Sequence, residues 1–298
     1  MIVRVENLHK SFGPTDALRG LSLSVPEGSA YALIGANGAG KTTTIKVMMN
    51  IIRPTRGTVT VLGVDSRRLA PRELEQIGYV SENQEMPARM KVGEYVSYLR
   101  PFYAGWDRAL EDEILEQLRL PLERRIGALS HGMRLKLALA CALPFRPKLL
   151  VLDEPFSGLD PLIRDEFMER LLRQAGDMTV LISSHELAEI EGAVTHVGFI
   201  DRGRLLFEES MDGLAERVRE VRVTLEHDAA VPSRVPADWL QMTAAGNVVT
   251  FVDTKFRDES LMGRVSGLFT GIKQIDVQPL ALRSIFTTLA RAERDRGV

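Results

Sequence analysis

The stretch Gly35-Ala36-Asn37-Gly38-Ala39-Gly40-Lys41-Thr42 constrains this chain more than any other, because it has the form G-x-x-x-x-G-K-T. Before it, Ser29 to Ile34 is a short apolar run that reads as a buried strand. After it, Thr43 to Asn50 carries Ile45, Val47, Met48 and Met49 and reads as a helix. Glycines let the backbone curl so that several N–H groups converge, and at a helix N-terminus such a concavity favours a polyanion. Lys41 supplies a point charge for β- and γ-phosphates, and the Thr42 hydroxyl suits Mg²⁺. A glycine-rich turn with no ligand is the plain alternative. The full register of the motif, with a strand and a helix on the correct sides, disfavours it.

The 298 residues suffice for one large domain or two. Hydrophobic residues make up 45%, enough for a sizeable core, and the net charge of -2 offers no global basic field for nucleic acid. No apolar run approaches the roughly 20 residues of a spanning helix. Met1 to Glu6 lacks the apolar core of a secretory signal, so the chain is expected in the cytoplasm. The single cysteine, Cys141, lies among Leu137, Ala138, Leu139, Ala140 and Ala142 and reads as helix packing. The five histidines show no metal-ligand spacing.

Upstream of the loop, Ile2 to Leu8 and Leu18 to Val25 read as strands. Phe12 sits between them in a turn-like setting, where an aromatic either packs or stacks on a nucleobase. Thr58 to Leu62 and Ile77 to Val80 read as further strands. From about residue 82 to 145 the pattern turns helical, with segments at Val92 to Tyr103, Leu110 to Leu118 and Arg134 to Leu143. Leu129-Ser130-His131-Gly132-Met133 opens the last of these, and its Ser-x-Gly is either an N-cap or a donor set for an anion. Lys148 to Glu154 is an apolar strand ending in two acids. Asp153 is placed to hold Mg²⁺, and Glu154 can accept a proton from an attacking water. Ser157-Gly158-Leu159-Asp160 follows as a loop and Leu162 to Gln174 as a helix. Thr179 to His185 repeats the apolar strand with a polar tip, which puts His185 at the same sheet edge.

Together these motifs resemble the nucleotide-binding subunit of an ABC transporter, over Met1 to about Glu216. The resemblance implies an α/β P-loop NTPase with the ABC ATPase fold: an antiparallel β subdomain, a helical insertion at about 82–145, and a second, small α+β domain at 217–298. It implies ATP and Mg²⁺ as ligands. Phe12 matches the aromatic that stacks on adenine. Gly35, Asn37, Gly38, Gly40, Lys41, Thr42 and Thr43 match the phosphate loop, Asp153 the magnesium aspartate with Thr42, and Glu154 the catalytic base. His185 matches the histidine that steadies the γ-phosphate and water. Asp160 matches the loop that communicates across a dimer. Ser130 and Gly132 match residues that reach the γ-phosphate of a nucleotide held by a second ATPase chain, identical or paralogous.

Two departures stand out. The usual Leu-Ser-Gly-Gly-Gln is Leu-Ser-His-Gly-Met here, so the hydroxyl and backbone donors persist while Met133 loses the amide. The usual glutamine after Gly-Tyr-(apolar)-x is Glu82, which can still ligate Mg²⁺ or position water. Gln84 is its alternative if the loop is shifted. Glu82 is similar to subfamilies of exporters with separate membrane subunits. The expectation is therefore an ATP-hydrolysing subunit, peripheral on the inner face of the membrane, that drives a separate transmembrane permease, with no nucleic acid partner. The alternative is a soluble ABC ATPase of translation or DNA repair. A single phosphate loop and a short insertion weigh against it. In the C-terminal part, Val221 to Glu226, Asn247 to Asp253 and Ile272 to Gln278 read as strands, and Leu261 to Phe269 and Leu282 to Ala292 as helices. This appendage reads as accessory, stabilising or dimerising, or as regulatory.

Overall fold

The computed structural model describes residues 1–82, 84–157, 164, 168, 176, 178–186 and 192–296, without the side chains of 293–296. Asp160, Gly158 and all but residues 164 and 168 of the helix expected over 162–174 lie outside these. The chain forms two compact units, Met1–Glu208 and Glu209–Val298. The helix Met211–Arg217 falls in the second unit.

In the first unit, β1 (Val3–Phe12) and β2 (Thr15–Val25) form an antiparallel hairpin. Both run further than their apolar residues suggest. The polar stretch Lys10 to Phe12 is strand because it pairs with Thr15 to Leu18 around the turn. With β4 (Arg56–Val61) and β5 (Val64–Asp65) they make a four-stranded sheet in the order β2-β1-β4-β5.

The second sheet builds the site. β3 (Ala30–Ile34), β7 (Leu149–Asp153) and β8 (Thr179–Ser184) are buried at every residue. That matches unbroken apolar runs, since a parallel strand covered on both faces has no polar side. They pair in parallel, with β6 (Ile77–Ser81) beside β7 and β9 (His196–Asp201) beside β3. β10 (Arg204–Ser210) completes the order β10-β9-β3-β8-β7-β6. The register pairs Ile34 with Ser184, Asp153 with Ser183 and Ser81 with Asp153, so four carboxyl ends finish in one row. α1 (Lys41–Met48) leaves β3 through the phosphate loop. Val3, Leu21, Tyr31, Ile45, Val47, Val151 and Leu181 share one core, each large apolar side chain contributing about 1.5–3 kcal/mol by burial.

A short helix, α2 (Pro71–Leu74), precedes β6. The insertion then holds α3 (Val92–Leu99), α4 (Arg108–Gln117) and α5 (His131–Ala142). The apolar stripe of α4 buries Ile114, Leu115 and Leu118, and with them the acid Glu111. Glu111 is tolerated because Arg100 and the Trp106 indole N–H both donate to it, at 2.7 and 2.6 Å.

In the second unit, α6 (Met211–Arg217) leads into β11 (Arg219–Leu225), followed by β12 (Trp239–Ala245), β13 (Val248–Asp253), α7 (Asp258–Ser266), β14 (Ile272–Pro279) and α8 (Leu282–Arg296). The strands form an antiparallel sheet in the order β12-β13-β11-β14. Its core has its own aromatic centre, Trp239 stacked on Phe251 at 4.1 Å, with Val221, Val223, Leu261 and Val265 around it.

Candidate active site

The site gathers where the carboxyl ends of β3, β7 and β8 align. Gly35 and Gly40 set the loop. A Cβ at Gly35 would stand 2.3 Å from the Ile200 carbonyl oxygen, and Gly40 has φ 112° with a would-be Cβ 2.9 Å from the Ala17 carbonyl. Only glycine fits both positions. Lys41 is 4% exposed, and its ammonium donates to the Gly35 and Ala36 carbonyls and pairs with Glu154 Oε1 at 2.9 Å. The other Glu154 oxygen lies 2.9 Å from His185 Nδ1. A carboxylate oxygen accepts, so Nδ1 carries the hydrogen in that bond. The sequence separates these three side chains widely, and the sheet brings them together.

Asp153 is the buried acid of the pair. Its Oδ1 accepts from the Thr42 hydroxyl at 3.0 Å and the Ser183 hydroxyl at 2.8 Å. Burial pushes its carboxyl above the ordinary value, and the nearby Glu154 charge adds to this. The Ser183 and Thr42 hydrogen bonds oppose it. Glu154 itself has φ 51°, in the left-handed region, a strain of about 1–3 kcal/mol for a residue with a side chain. Its backbone N–H is anchored by Ser183 Oγ at 2.9 Å. Ser183 thus fixes both acids at once. Sequence reasoning had it only as part of a polar strand tip. Two consecutive serines ending an otherwise apolar strand were the signal.

The other expected residues are placed as follows. Phe12 is 50% exposed at the hairpin end, with Lys10 Nζ 4.7 Å above its ring, so it does not pack in the core. Asn37 and Gly38 lie in the exposed part of the loop, and Thr43 follows on α1. The Glu82 N–H donates to the Asp153 carbonyl at 3.0 Å, while its side chain is exposed. Gln84, two residues on, has a buried Oε1 without a hydrogen-bond partner among the described residues. Ser130 is exposed and caps α5, its hydroxyl accepting from Met133 N–H at 3.3 Å. Gly132 lies in the first turn of α5. Met133 Sδ lies 3.9 Å from Arg124 Nη1. Lys41, Thr42, Asp153, Glu154 and His185 therefore form one connected cluster, while Phe12 and the Ser130–Gly132 element stand on other elements of the same unit.

A phosphate cradle at a helix N-terminus, with two acids at the end of the strand two places across a parallel sheet, defines a P-loop nucleotide-binding protein. Residues 18–157 match the family described as "ABC transporter". The bacitracin transport ATP-binding protein BcrA of Bacillus licheniformis is 36% identical over 224 residues, 74% of this chain and 73% of that protein. The Nod factor export ATP-binding protein I of Burkholderia orbicola is 35% identical over 216 residues, 70% and 71% of the two chains. A solved ATP-binding subunit of an ABC transporter superposes with a TM-score of 0.65 at 28% identity, over 72% of this chain and 92% of that one. The chain belongs to the ATP-binding proteins of ABC transporters, and it binds and hydrolyses ATP.

Proposed function

We propose that the chain is the motor subunit of an exporter, and that Glu154 is its catalytic base. The observation that carries this reading is the placement of the Glu154 carboxylate, between the Lys41 ammonium and the His185 ring, at 2.9 Å from each. Lys41 offers its charge to phosphate oxygens. Glu154 takes the proton from the attacking water, and His185 holds the carboxylate in place and reaches toward the same phosphate. The Gly35, Asn37, Gly38, Gly40 and Thr43 backbone cradles the phosphates, and Phe12, exposed at its hairpin, stacks on adenine.

Thr42 and Asp153 fit a magnesium ion. A hydroxyl and a buried carboxylate 3.0 Å apart are hard oxygen donors, and magnesium takes few protein ligands beside phosphate and water. Bound there, it would supply charge neutralisation at the phosphates. Glu82 and Gln84 compete for the supporting role beside it. Glu82 has the exposed carboxylate, whereas Gln84 has a buried acceptor with no partner among the described residues.

Ser130 and Gly132 serve the nucleotide of a second ATPase chain, identical or paralogous, and Asp160 communicates between the two. No helix among the described residues is long and apolar enough to cross a membrane. In this reading the membrane path belongs to a separate permease, with this subunit peripheral at its inner face, as similarity to transport ATP-binding proteins supports. The 217–298 domain is accessory or regulatory. The export direction is supported by similarity to the Nod factor export protein and by Glu82. The test is a pull-down of the Glu154→Gln chain with Mg-ATP from detergent-solubilised membranes of the source cells, read by mass spectrometry. A polytopic membrane protein among the bound chains is the expected result. Ribosomal or DNA-repair proteins alone would replace this reading with a soluble one.

A further inference from the structure

The Leu129–Met133 element has a histidine where its usual form has glycine, and that histidine makes a specific bond. His131 Nε2 lies 3.0 Å from the carbonyl oxygen of Ser157. A carbonyl has lone pairs and no proton, so Nε2 carries the hydrogen and donates. The acceptor ends the four-residue turn that begins at Glu154. This turn starts from a left-handed φ of 51°, and the Ser157 N–H closes it on the Glu154 carbonyl at a long 3.4 Å. Its first residue is tied to β8 through Ser183 Oγ. Phe156, 2% exposed, is anchored by burial. The Ser157 end is tied by His131, from the N-terminus of α5. A glycine at 131 has no side-chain donor and cannot make this tie.

We propose that His131 is a positioning residue. By holding the Ser157 carbonyl it keeps the Glu154–Ser157 turn in place, and through the turn it keeps the Glu154 carboxylate seated between Lys41 and His185. The inference rests on Glu154 as the base. It makes α5, the helix that presents Ser130 and Gly132, mechanically continuous with the acid that activates water. Movement of the α5 N-terminus is therefore felt at the base through one hydrogen bond. His131 itself touches neither Lys41, Asp153 nor Glu154 by any hydrogen bond found among the described residues.

The test compares the full-length wild type with His131→Leu and His131→Gln. Glutamine places an N–H where Nε2 stands, and leucine does not. Three readouts are needed: steady-state ATP hydrolysis, thermal midpoint, and hydrogen exchange at the Phe156 and Ser157 amides. Losing one positioning hydrogen bond should lower kcat of the leucine variant about five- to tenfold and leave its KM for ATP within about twofold. Exchange at Phe156 and Ser157 should rise in the leucine variant alone, and the glutamine variant should regain kcat to within about twofold of wild type. The proposal is overturned if the leucine variant turns over at the wild-type rate. It is also overturned if glutamine fails as badly as leucine, or if both losses follow a lowered thermal midpoint. Should Glu154→Gln retain turnover, the assignment of the base falls. The exchange readout then still reports whether His131 holds the turn.

Discussion

At the scale of single residues, the cluster predicts which side chains react and which do not. Glu154→Gln removes the proposed general base, so phosphate release should fall by about 100-fold or more while ATP binding persists. Paired hydrolysis and fluorescent-nucleotide assays check this. Full turnover in that variant would mean that another group accepts the proton. Cys141 is buried on α5, and burial, with the Glu111 charge behind it, pushes its thiol well above the ordinary value. The thiol is therefore neutral at pH 8 and a poor nucleophile. A thiol reagent should label it only after denaturant is added, and labelling of the native chain would contradict its burial. Asp65 shows the opposite shift. The Arg67 side chain holds its carboxyl at about 2, below its ordinary 3.8. Because the folded value is depressed, its stabilising contribution is present above the ordinary value and is lost as pH falls toward 2. A carboxyl NMR titration should place its midpoint near 2. Most members of this cluster were legible in the sequence, because Lys41, Thr42, Asp153, Glu154 and His185 sit in short local motifs. Ser183 was not, because its role depends on lying opposite Asp153 in the neighbouring strand.

At the scale of elements, the strands buried on both faces announced themselves by apolar runs, and the half-buried β1, β4 and β11 by alternation. β3 is apolar throughout, β7 is apolar up to Asp153, and β8 is apolar between Thr179 and Ser183-Ser184. β12 was missed: after Trp239 it alternates half-buried Leu240, Met242 and Ala244 with exposed Gln241, Thr243 and Ala245, and it pairs with β13. β9 and β10 were missed as well: β9 pairs with β3 far away in the chain, and β10 is placed beside β9. The second unit holds a buried ion pair that its sequence does not advertise. Asp253 on β13 is fully buried and accepts from Arg264 on α7 at 2.7 Å and from the Trp239 indole at 3.1 Å. Burial raises its carboxyl above the ordinary value, with the Lys255 backbone N–H and the Arg264 charge opposing. Arg264→Met should cost about 3–5 kcal/mol, because it strands a buried charge. Asp253→Asn in the same chain should recover part of that loss. Urea unfolding followed by Trp239 fluorescence would measure both. A loss under about 1 kcal/mol for the single variant would mean that the pair is solvated.

At the scale of the molecule, two units with separate cores imply separable folding. Residues 209–298, with their core around Trp239 and Phe251, should show a cooperative thermal transition when expressed alone. A non-cooperative melt would show that the second core needs the first unit. The phosphate loop, the two acids and the histidine are readable in order along the chain because each requires only a strand end and its immediate followers. Two facts could not be read there. Lys41 and Glu154 meet, and Ser183 braces Asp153 while anchoring Glu154, only because β3, β8 and β7 lie side by side in one register. His131 finds Ser157 only because α5 starts beside that edge. Local propensity shapes a strand or a turn from neighbouring residues. Which strand lies beside which is settled by hydrogen bonds and burial between segments distant in the chain, and the geometry of the candidate site is a consequence of that choice.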